Sequence, residues 1–325
     1  MTLRLDERMR FGIQTMHRRT EPAEGPWLPE AEDGRALVEM IDGLGYDSLW
    51  LGDHLSFAIP ILDPLIQLAQ AAAYSDRLLL GVGVYLLPLR HPGPVAKQVA
   101  TLDHLSGGRL IFGVGVGGEF KTDYAVAGVP LAERGARLSE AIAVLRKLWS
   151  GKPVAHEGRF FGFSELTMSP PARQSGGPPI WCGGRSEAAL RRAGVMADGW
   201  ISYVVTPEMF QQSLDRIRGE AEAAGREAGP FGTGHLLFAC VDDSYETALD
   251  KATETLSVRY AMDFREAARK YCALGRPEDV AERLVEFHGA GVRHVVMDFV
   301  GPYEERDRQF ERFAREVLPL MADYR

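Results

Sequence analysis

The most constraining feature of this chain is the stretch 90–119, which combines a helical segment, a strand and a glycine-dense strand exit: RHPGPVAKQVATLDHLSGGRLIFGVGVGGE. Residues 110–114 form a continuous apolar run of strand length. Glycines lie within it and directly after it, at Gly113, Gly115, Gly117 and Gly118. Because glycine has no side chain, a ligand can approach this backbone closely, although a tight strand-to-helix turn would also need such glycines. The surrounding residues are therefore needed to distinguish a ligand site from a simple turn.

Length and composition limit the class of protein. The 325 residues are 46% hydrophobic and 25% charged, enough to bury a large core, so one α/β barrel is as natural as two domains. The net charge of -8 comes without a basic stripe, so we expect neither nucleic acid nor a membrane surface as a partner, but a small organic molecule. The charged first residues and the lack of a long apolar run predict no signal peptide and no membrane span, and hence a cytoplasmic protein.

The cysteines and histidines do not indicate a metal site. Cys182, Cys240 and Cys272 are scattered, and two of them lie in apolar runs typical of buried strands. Neither a Cys-x-x-Cys nor a His-Glu-x-x-His motif occurs. The sequence therefore predicts buried free thiols and no metal.

Eight apolar, strand-like runs alternate with helical segments. They cover residues 11–15, 48–52, 78–85, 110–115, 180–183, 199–203, 236–241 and 294–299. Such continuous apolar runs are typical of parallel strands covered by helices on the outside. Helix starts are predicted at capping residues between the runs, namely Asp63, Ser186, Thr206 and Ser244. The order predicts a (β/α)8 TIM barrel formed by a single domain over residues 1–325.

Two connections are too long for a minimal barrel. They correspond to insertions at about 150–178, which is rich in Gly and Pro, and at 244–276, which holds two helices. We expect both on the C-terminal face of the barrel, where barrel enzymes have their active sites. Aromatic residues of these insertions are candidate walls of a substrate pocket: Phe160, Phe161, Phe163, Tyr260, Phe264 and Tyr271.

The chain resembles a known family. The stretch 90–119, with WLGDHL before it and PPIWCGGRSEAALRRAGVMADGW after it, is similar to the luciferase-like monooxygenase superfamily. Members of that superfamily bind reduced FMN or the deazaflavin coenzyme F420 in a barrel of the kind predicted above. The resemblance runs from residue 9 to about residue 299 and also suggests a homodimer.

Asp53 and His54 follow the second strand, where a barrel places its catalytic groups. A carboxylate beside a titratable imidazole is suited to proton transfer near neutral pH, although Asp53 could instead cap the next helix. In deazaflavin-dependent relatives an Asp-His pair matching these two residues lies beside the cofactor ring. The resemblance thus implies a catalytic role for both.

The exits of the third and fourth strands supply further candidates. The resemblance implies a non-prolyl cis peptide at Gly83–Val84 that supports the cofactor ring, with Tyr85 beneath it. At the fourth strand, Gly115, Gly117 and Gly118 would leave room for the ring or tail.

Glu119 is the first side chain after the glycine run that could act as an acid. In some deazaflavin enzymes of the family a Glu near this position donates a proton. The alternative is that Glu119 only begins the next helix, where a negative charge is favourable.

The exit of the fifth strand is the best phosphate site in the sequence. Gly183 and Gly184 expose backbone N–H groups, Arg185 supplies charge, and Ser186 is placed to cap a helix whose N-terminus attracts anions. Family members bind the cofactor phosphate here. The luciferases themselves carry an arginine in the fourth-strand exit, where this chain has Val116.

These observations favour hydride transfer between reduced F420 and a small organic substrate. The alternative is a monooxygenase that uses reduced FMN to insert one oxygen atom from O2, in which case a separate flavin reductase is an expected partner. A third interpretation, from a different class, is a flavin-binding or silent partner subunit without activity.

Overall fold

The computed structural model describes residues 3–14, 31–56, 61–118 and 120–325. Its central element is a closed barrel of eight parallel strands. These are β1 (Arg10–Gln14), β2 (Ser48–Leu51), β3 (Leu79–Val82), β4 (Leu110–Val114), β5 (Ile180–Gly183), β6 (Gly199–Tyr203), β7 (Gly232–Val241) and β8 (His294–Phe299). Each strand pairs with the next one along the chain, β8 pairs with β1, and β6 pairs with β7, which closes the ring. The predicted (β/α)8 barrel is confirmed.

Helices cover the outside of the barrel. They are α1 (Ala31–Gly43), α2 (Pro64–Ala72), α3 (Pro92–Leu105), α4 (Lys121–Ala127), α5 (Arg134–Trp149), α6 (Glu187–Met196), α7 (Pro207–Ala223), α8 (Tyr245–Tyr260), α9 (Arg265–Tyr271), α10 (Pro277–Gly289) and α11 (Arg306–Arg312). The four predicted capping side chains each accept a hydrogen bond from a backbone N–H of the following first turn. Each bond satisfies a donor that a helix N-terminus otherwise leaves unpaired, so these starts follow directly from the sequence.

Two tryptophans fill the barrel interior. Trp50 of β2 and Trp181 of β5 lie with their ring centroids 5.5 Å apart. Strands β3 and β7 carry glycine where they face these rings, because a Cβ on Gly81 would lie 2.2 Å from Trp50 and one on Gly232 would lie 2.1 Å from Trp181. The interior is therefore a packed layer that separates the carboxyl end of the barrel from its amino end.

The first insertion crosses the side of the barrel. It begins at the C-terminus of α5, at the amino ends of the strands. Its later part lies at the same face, because Gln174 donates hydrogen bonds to Asp103 and to the carbonyl of Leu110. A two-stranded antiparallel hairpin follows α5 (Val154–Glu157 with Gly162–Leu166). At its tip, Phe160 and Phe161 donate backbone hydrogen bonds to Glu140 of α5.

The hairpin tip reaches toward the carboxyl ends, because Phe161 contacts His91, the residue that caps α3. Phe160 lies under Arg137 in the first turn of α5. The insertion thus has its root at the amino face and only its tip near the carboxyl face. Phe160 and Phe161 contact α5 and the start of α3, and Phe163 stacks with His156 of the hairpin itself. A role for these phenylalanines as pocket walls stays a prediction.

The second insertion lies at the carboxyl end of β7. Helices α8 and α9 pack on Phe238 and Cys240 of β7, and a short strand (Ala273–Gly275) adds to the end of that strand. Tyr260 and Phe264 stack with centroids 5.0 Å apart in the same cluster. This insertion therefore has the predicted position beside the strand ends.

The three cysteines are buried and unpaired, as predicted. No described helix has the length and apolar character needed to cross a bilayer. Within the described ranges, no group of three His, Cys, Asp or Glu side chains is arranged to hold a metal ion.

Candidate functional site

Asp53 is fixed in a buried ion pair at the carboxyl end of the barrel. Its two carboxylate oxygens accept hydrogen bonds from Arg90, at 2.8 and 2.5 Å, and one also accepts from the backbone N–H of Leu86 at 2.8 Å. The Asp53 side chain is 1% exposed and that of Arg90 is 19% exposed. Asp53 thus does not cap the following helix; it ties the exit of β2 to the segment that follows β3.

Arg90 completes this arrangement. Its guanidinium lies over the ring of Tyr85 at 4.3 Å, and its pKa is raised above the ordinary value by the hydrogen bonds and charge of Asp53, which outweigh the effect of its burial. Burial raises the pKa of Tyr85, so the phenol is neutral. The peptide bond between Gly83 and Val84 is cis, the geometry that the family resemblance implies for this position.

His54 pairs with a carboxylate that sequence reasoning did not identify. Its Nδ1 lies 2.8 Å from Oδ2 of Asp123, a residue of α4 whose side chain is 1% exposed. The other oxygen of Asp123 accepts backbone hydrogen bonds from Leu55 at 2.9 Å and Ser56 at 2.6 Å. Because an ionised carboxylate only accepts, we assign the proton of the neutral imidazole to Nδ1, which makes Nε2 the basic nitrogen.

The ring of Phe120 meets His54 edge-on, with centroids 5.3 Å apart. The imidazole is therefore held from one side by a charged hydrogen bond and from another by an aromatic ring. This pairing of a titratable base with an orienting carboxylate is the arrangement that general acid–base catalysis requires.

The glycines at the strand exits pack against the segment around the cis peptide. A Cβ on Gly115 would lie 2.3 Å from Val84, one on Gly183 would lie 2.6 Å from Val84, and one on Gly117 would lie 2.9 Å from Leu86. Gly117 and Gly118 also adopt positive φ angles of 56° and 110°. The glycine density of the sequence thus has a packing cause as well as any role in admitting a ligand.

The predicted phosphate site lies at the N-terminus of α6. Ser186 caps this helix, and Gly184 has a φ of 112°, a conformation that favours glycine. Arg185 donates to the carbonyl of Val204 at 2.7 Å and lies over the ring of Tyr203. A helix N-terminus, a glycine and an exposed arginine are thus brought together, as a phosphate site requires.

Gln14, at the carboxyl end of β1, brings an unpaired side-chain oxygen to the mouth of the barrel, the region enclosed by the carboxyl ends of the eight strands. Its side chain is buried, with 7% of the residue exposed, and its Oε1 has no hydrogen-bond partner among the described residues. That oxygen lies 3.5 Å from the position of a Cβ on Gly83, beside the cis peptide. Leaving such a group unpaired in a dry interior is costly, so Oε1 is a candidate contact for a ligand.

A second buried ion pair lies between β8 and the second insertion. Arg259 of α8 donates to Asp298 of β8 at 2.8 Å, and the side chains are 7% and 10% exposed. The guanidinium also lies 5.5 Å from the centroid of Phe238. This pair fixes the insertion to the strand ends and forms another polar part of the mouth.

Sequence reasoning missed Asp123, Gln14, Arg259 and Asp298 as residues of the site. Gln14 and Asp298 lie at the ends of predicted strands, so their position could have been noted, whereas nothing local marks Asp123 or Arg259. Glu119, the other candidate acid, lies outside the described residues.

The chain matches the family described as luciferase-like monooxygenase over residues 9–294. An F420-dependent glucose-6-phosphate dehydrogenase of Microbacterium testaceum is 28% identical over 315 residues, which cover 87% of this chain and 91% of that protein. A monooxygenase from Streptomyces bottropensis has a crystal structure that superposes with a TM-score of 0.81 at 26% identity, over 96% of this chain and 99% of that one.

The oxygenating constituent of the 3,6-diketocamphane monooxygenase of Pseudomonas putida, solved in complex with FMN, has the same fold. Its TM-score is 0.77 at 18% identity, over 96% of this chain and 98% of that one. Similar proteins thus include users of F420 and of FMN. The match over 286 consecutive positions and the barrel geometry together show that this chain belongs to the luciferase-like monooxygenase family.

Proposed function

We propose that this protein is an F420-dependent oxidoreductase that moves a hydride between the deazaflavin and a small organic alcohol or carbonyl compound. The observation that carries the proposal is the hydrogen-bonded pair of His54 and Asp123 at the carboxyl end of the barrel. A hydride leaving an alcohol carbon must be accompanied by a proton leaving the oxygen, and an oriented imidazole is suited to take it. The similarity to an F420-dependent dehydrogenase along most of the chain supports the same choice.

The residues at the mouth fit F420 and FMN alike. Both cofactors carry a tricyclic ring with polar edges and a phosphate on a ribityl-type chain. Oε1 of Gln14 offers an unused acceptor beside Gly83, and the N-terminus of α6 with Gly184, Arg185 and Ser186 offers donors for a phosphate. In this proposal Val84 and Tyr85 support the ring, and the backbone at Gly115, Gly117, Gly118 and Gly183 lies along the cofactor.

When bound, F420 supplies a two-electron hydride acceptor or donor. The protein itself moves the proton. Nε2 of His54 takes it from the substrate hydroxyl during oxidation and returns it to the carbonyl oxygen during reduction. Asp123 holds the imidazole in the required tautomer and stabilises the imidazolium that forms. Asp53, held by Arg90, fixes the segment that follows β3, and Glu119 is a further candidate proton donor.

An FMN-dependent monooxygenase is the second candidate, favoured by the 26% identity to the Streptomyces enzyme over nearly the whole chain. In that case reduced FMN would come from a separate reductase. A silent flavin-binding subunit is the third.

The deciding experiment compares both cofactors on the same preparation. Fluorescence titrations with oxidised F420 and oxidised FMN give the two affinities, and rapid mixing of the reduced complexes with oxygenated buffer then measures oxygen consumption. We expect tighter binding of F420 and no oxygen consumption above the protein-free rate. Micromolar FMN binding with oxygen consumption and no affinity for F420 would make the protein an FMN monooxygenase. Stoichiometric binding without turnover on a panel of alcohols and carbonyl compounds would favour the silent subunit.

A further inference from the structure

We propose a second binding site, for an organic oxyanion with an apolar body, at the amino end of the barrel. A cavity of about 1260 Å³ opens there, on the opposite side of the Trp50–Trp181 layer from the cofactor mouth. This volume exceeds what a drug-sized molecule needs. The proposal does not depend on the function proposed above.

The walls of this cavity carry an excess of positive charge. Six arginines line it against three carboxylates: Arg4, Arg8, Arg10, Arg146, Arg226 and Arg293 against Asp6, Glu7 and Asp198. Two of the carboxylates are already used, because Asp6 pairs with Arg10 and Asp198 pairs with Arg146. Arg8 also pairs with Asp47, which lies outside the lining. The other three arginines have no ion pair among the described residues, and they give the cavity a positive field that attracts anions.

Arg226 and Arg293 are the central groups of the proposed site. Both are half-buried, and among the described residues neither has a carboxylate within ion-pair distance. Instead they donate to backbone carbonyls, Arg293 to Asp6, His288 and Val292, and Arg226 to Gly194 and Ala197.

These carbonyl bonds leave part of each guanidinium available. The bonds of Arg293 use Nε and Nη1, and those of Arg226 use Nη1, so the Nη2 groups of both donate to no described residue. Burial lowers the pKa of both side chains, which remain charged at neutral pH. A guanidinium with a donor to spare can form a charge-assisted hydrogen bond to an oxygen of a carboxylate or phosphate.

The cavity floor is apolar. Trp181 and Ile111 line it from inside the barrel, and Phe231 lies at the wall under Arg226, 5.6 Å from the guanidinium carbon to the ring centroid. His294, also part of the floor, is neutral because burial lowers its pKa to about 3. A cationic rim above an aromatic and aliphatic floor favours an amphipathic anion over a simple inorganic ion.

The probe we choose is 2-naphthoate, with 2-naphthol and inorganic phosphate as its uncharged and non-apolar counterparts. Isothermal titration calorimetry on the full chain should detect one molecule of 2-naphthoate per chain. We expect 2-naphthol to bind at least about tenfold more weakly, since it lacks the charge-assisted hydrogen bonds, and inorganic phosphate to displace the naphthoate poorly.

Two kinds of variant locate the binding. Arg293→Gln and Arg226→Gln should each weaken 2-naphthoate about tenfold, whereas Arg308→Gln, at an exposed arginine of α11, should not. Because Arg226 and Arg293 also hold backbone carbonyls, Ser175→Trp is the second test: this exposed residue lines the cavity, so its substitution adds a bulky ring to the lining and leaves every arginine in place.

A changed affinity for 2-naphthoate in Ser175→Trp, with cofactor affinity unchanged, would support the site. An affinity that is the same in Ser175→Trp and in both arginine variants, or binding that is abolished by a saturating cofactor, would place the naphthoate at the carboxyl end of the barrel and overturn the proposal. Equal affinity for 2-naphthoate and 2-naphthol would likewise overturn it, since the arginines would then contribute nothing.

Discussion

The two ends of this barrel differ in how their charged side chains are paired. At the carboxyl end, three buried carboxylates each have one basic partner: Asp53 with Arg90, Asp123 with His54, and Asp298 with Arg259. At the amino end, Asp6 pairs with Arg10 and Asp198 pairs with Arg146, but Arg226 and Arg293 are held by backbone carbonyls and have no carboxylate partner among the described residues. Matched pairs fix positions, whereas unmatched arginines attract anions. The ion pairs at the carboxyl end therefore hold side chains in fixed positions, whereas the unpaired arginines at the amino end favour the binding of an anion.

The pair of Asp53 and Arg90, in which the guanidinium bonds both carboxylate oxygens, should matter most to the folded state. Replacing Arg90 with Met leaves the carboxylate of Asp53 buried and without its cation, so we expect the free energy of unfolding to fall by about 3 kcal/mol or more. Urea denaturation would measure the loss, with Arg308→Met as a control at an exposed arginine. A change below about 0.5 kcal/mol would show that Asp53 and Arg90 do not hold the strand exits together.

The second pair should matter to turnover rather than to folding. If Nε2 of His54 carries the proton, His54→Ala should lower turnover about 100-fold or more while cofactor affinity changes little. Steady-state oxidation or reduction of the bound cofactor with an identified substrate would measure it, and His104→Ala, an exposed histidine of α3, is the control. Near-normal turnover in the His54 variant would remove this residue from the catalytic proposal.

The sequence predicted the barrel because its signals are local. Each strand is an apolar run of its own, and each capping residue directly precedes its helix, so spacing alone fixes the order of elements. The partner of His54 is different: Asp123 lies 69 positions away on a short helix, and only the closed ring of strands brings the two together.

The glycines illustrate the same limit at shorter range. Their number was visible in the sequence, but Gly115 follows β4, Gly183 ends β5, and both would meet Val84, which follows β3. A contact shared by the exits of three strands leaves no periodic signal. The first insertion shows the same limit. The sequence located it between β4 and β5 but did not show which end of the barrel it leaves from. Because it follows the C-terminus of α5, it begins at the amino face.

Arg185 lies at the carboxyl end, yet like Arg226 and Arg293 it donates to a backbone carbonyl. Its role therefore shows whether such an arginine binds an anion at this end as well. If it holds the cofactor phosphate, Arg185→Ala should weaken cofactor binding by about 1.5 to 3 kcal/mol. Fluorescence titration of the same variant with riboflavin, which lacks the phosphate, should show no change. Equal losses for FMN and riboflavin would rule out a phosphate contact.

Asp123 should act on the rate through His54. Asp123→Asn keeps the acceptor for the backbone N–H groups of Leu55 and Ser56 but presents an amide donor to Nδ1, which favours the other tautomer of the imidazole. We expect turnover to fall about tenfold, with a changed pH profile and unchanged cofactor affinity. The double variant with His54→Ala should be no slower than His54→Ala alone, and additive losses would contradict a positioning role.

The smallest expected effect concerns the histidine at the amino end. His294 bonds to Ser48 at 2.7 Å and contacts the indole N–H of Trp50, and burial lowers its pKa to about 3. The unfolded chain binds this proton near pH 6.5, so the stabilisation from the neutral imidazole is complete above that pH and is lost as the pH falls toward 3. Between pH 6.5 and 5.5 the loss should be about 1 kcal/mol. Urea denaturation at the two pH values would measure it, and His294→Gln should remove that part of the slope. An unchanged slope in this variant would mean that His294 is not held neutral and that the floor of the amino-end cavity carries an additional positive charge.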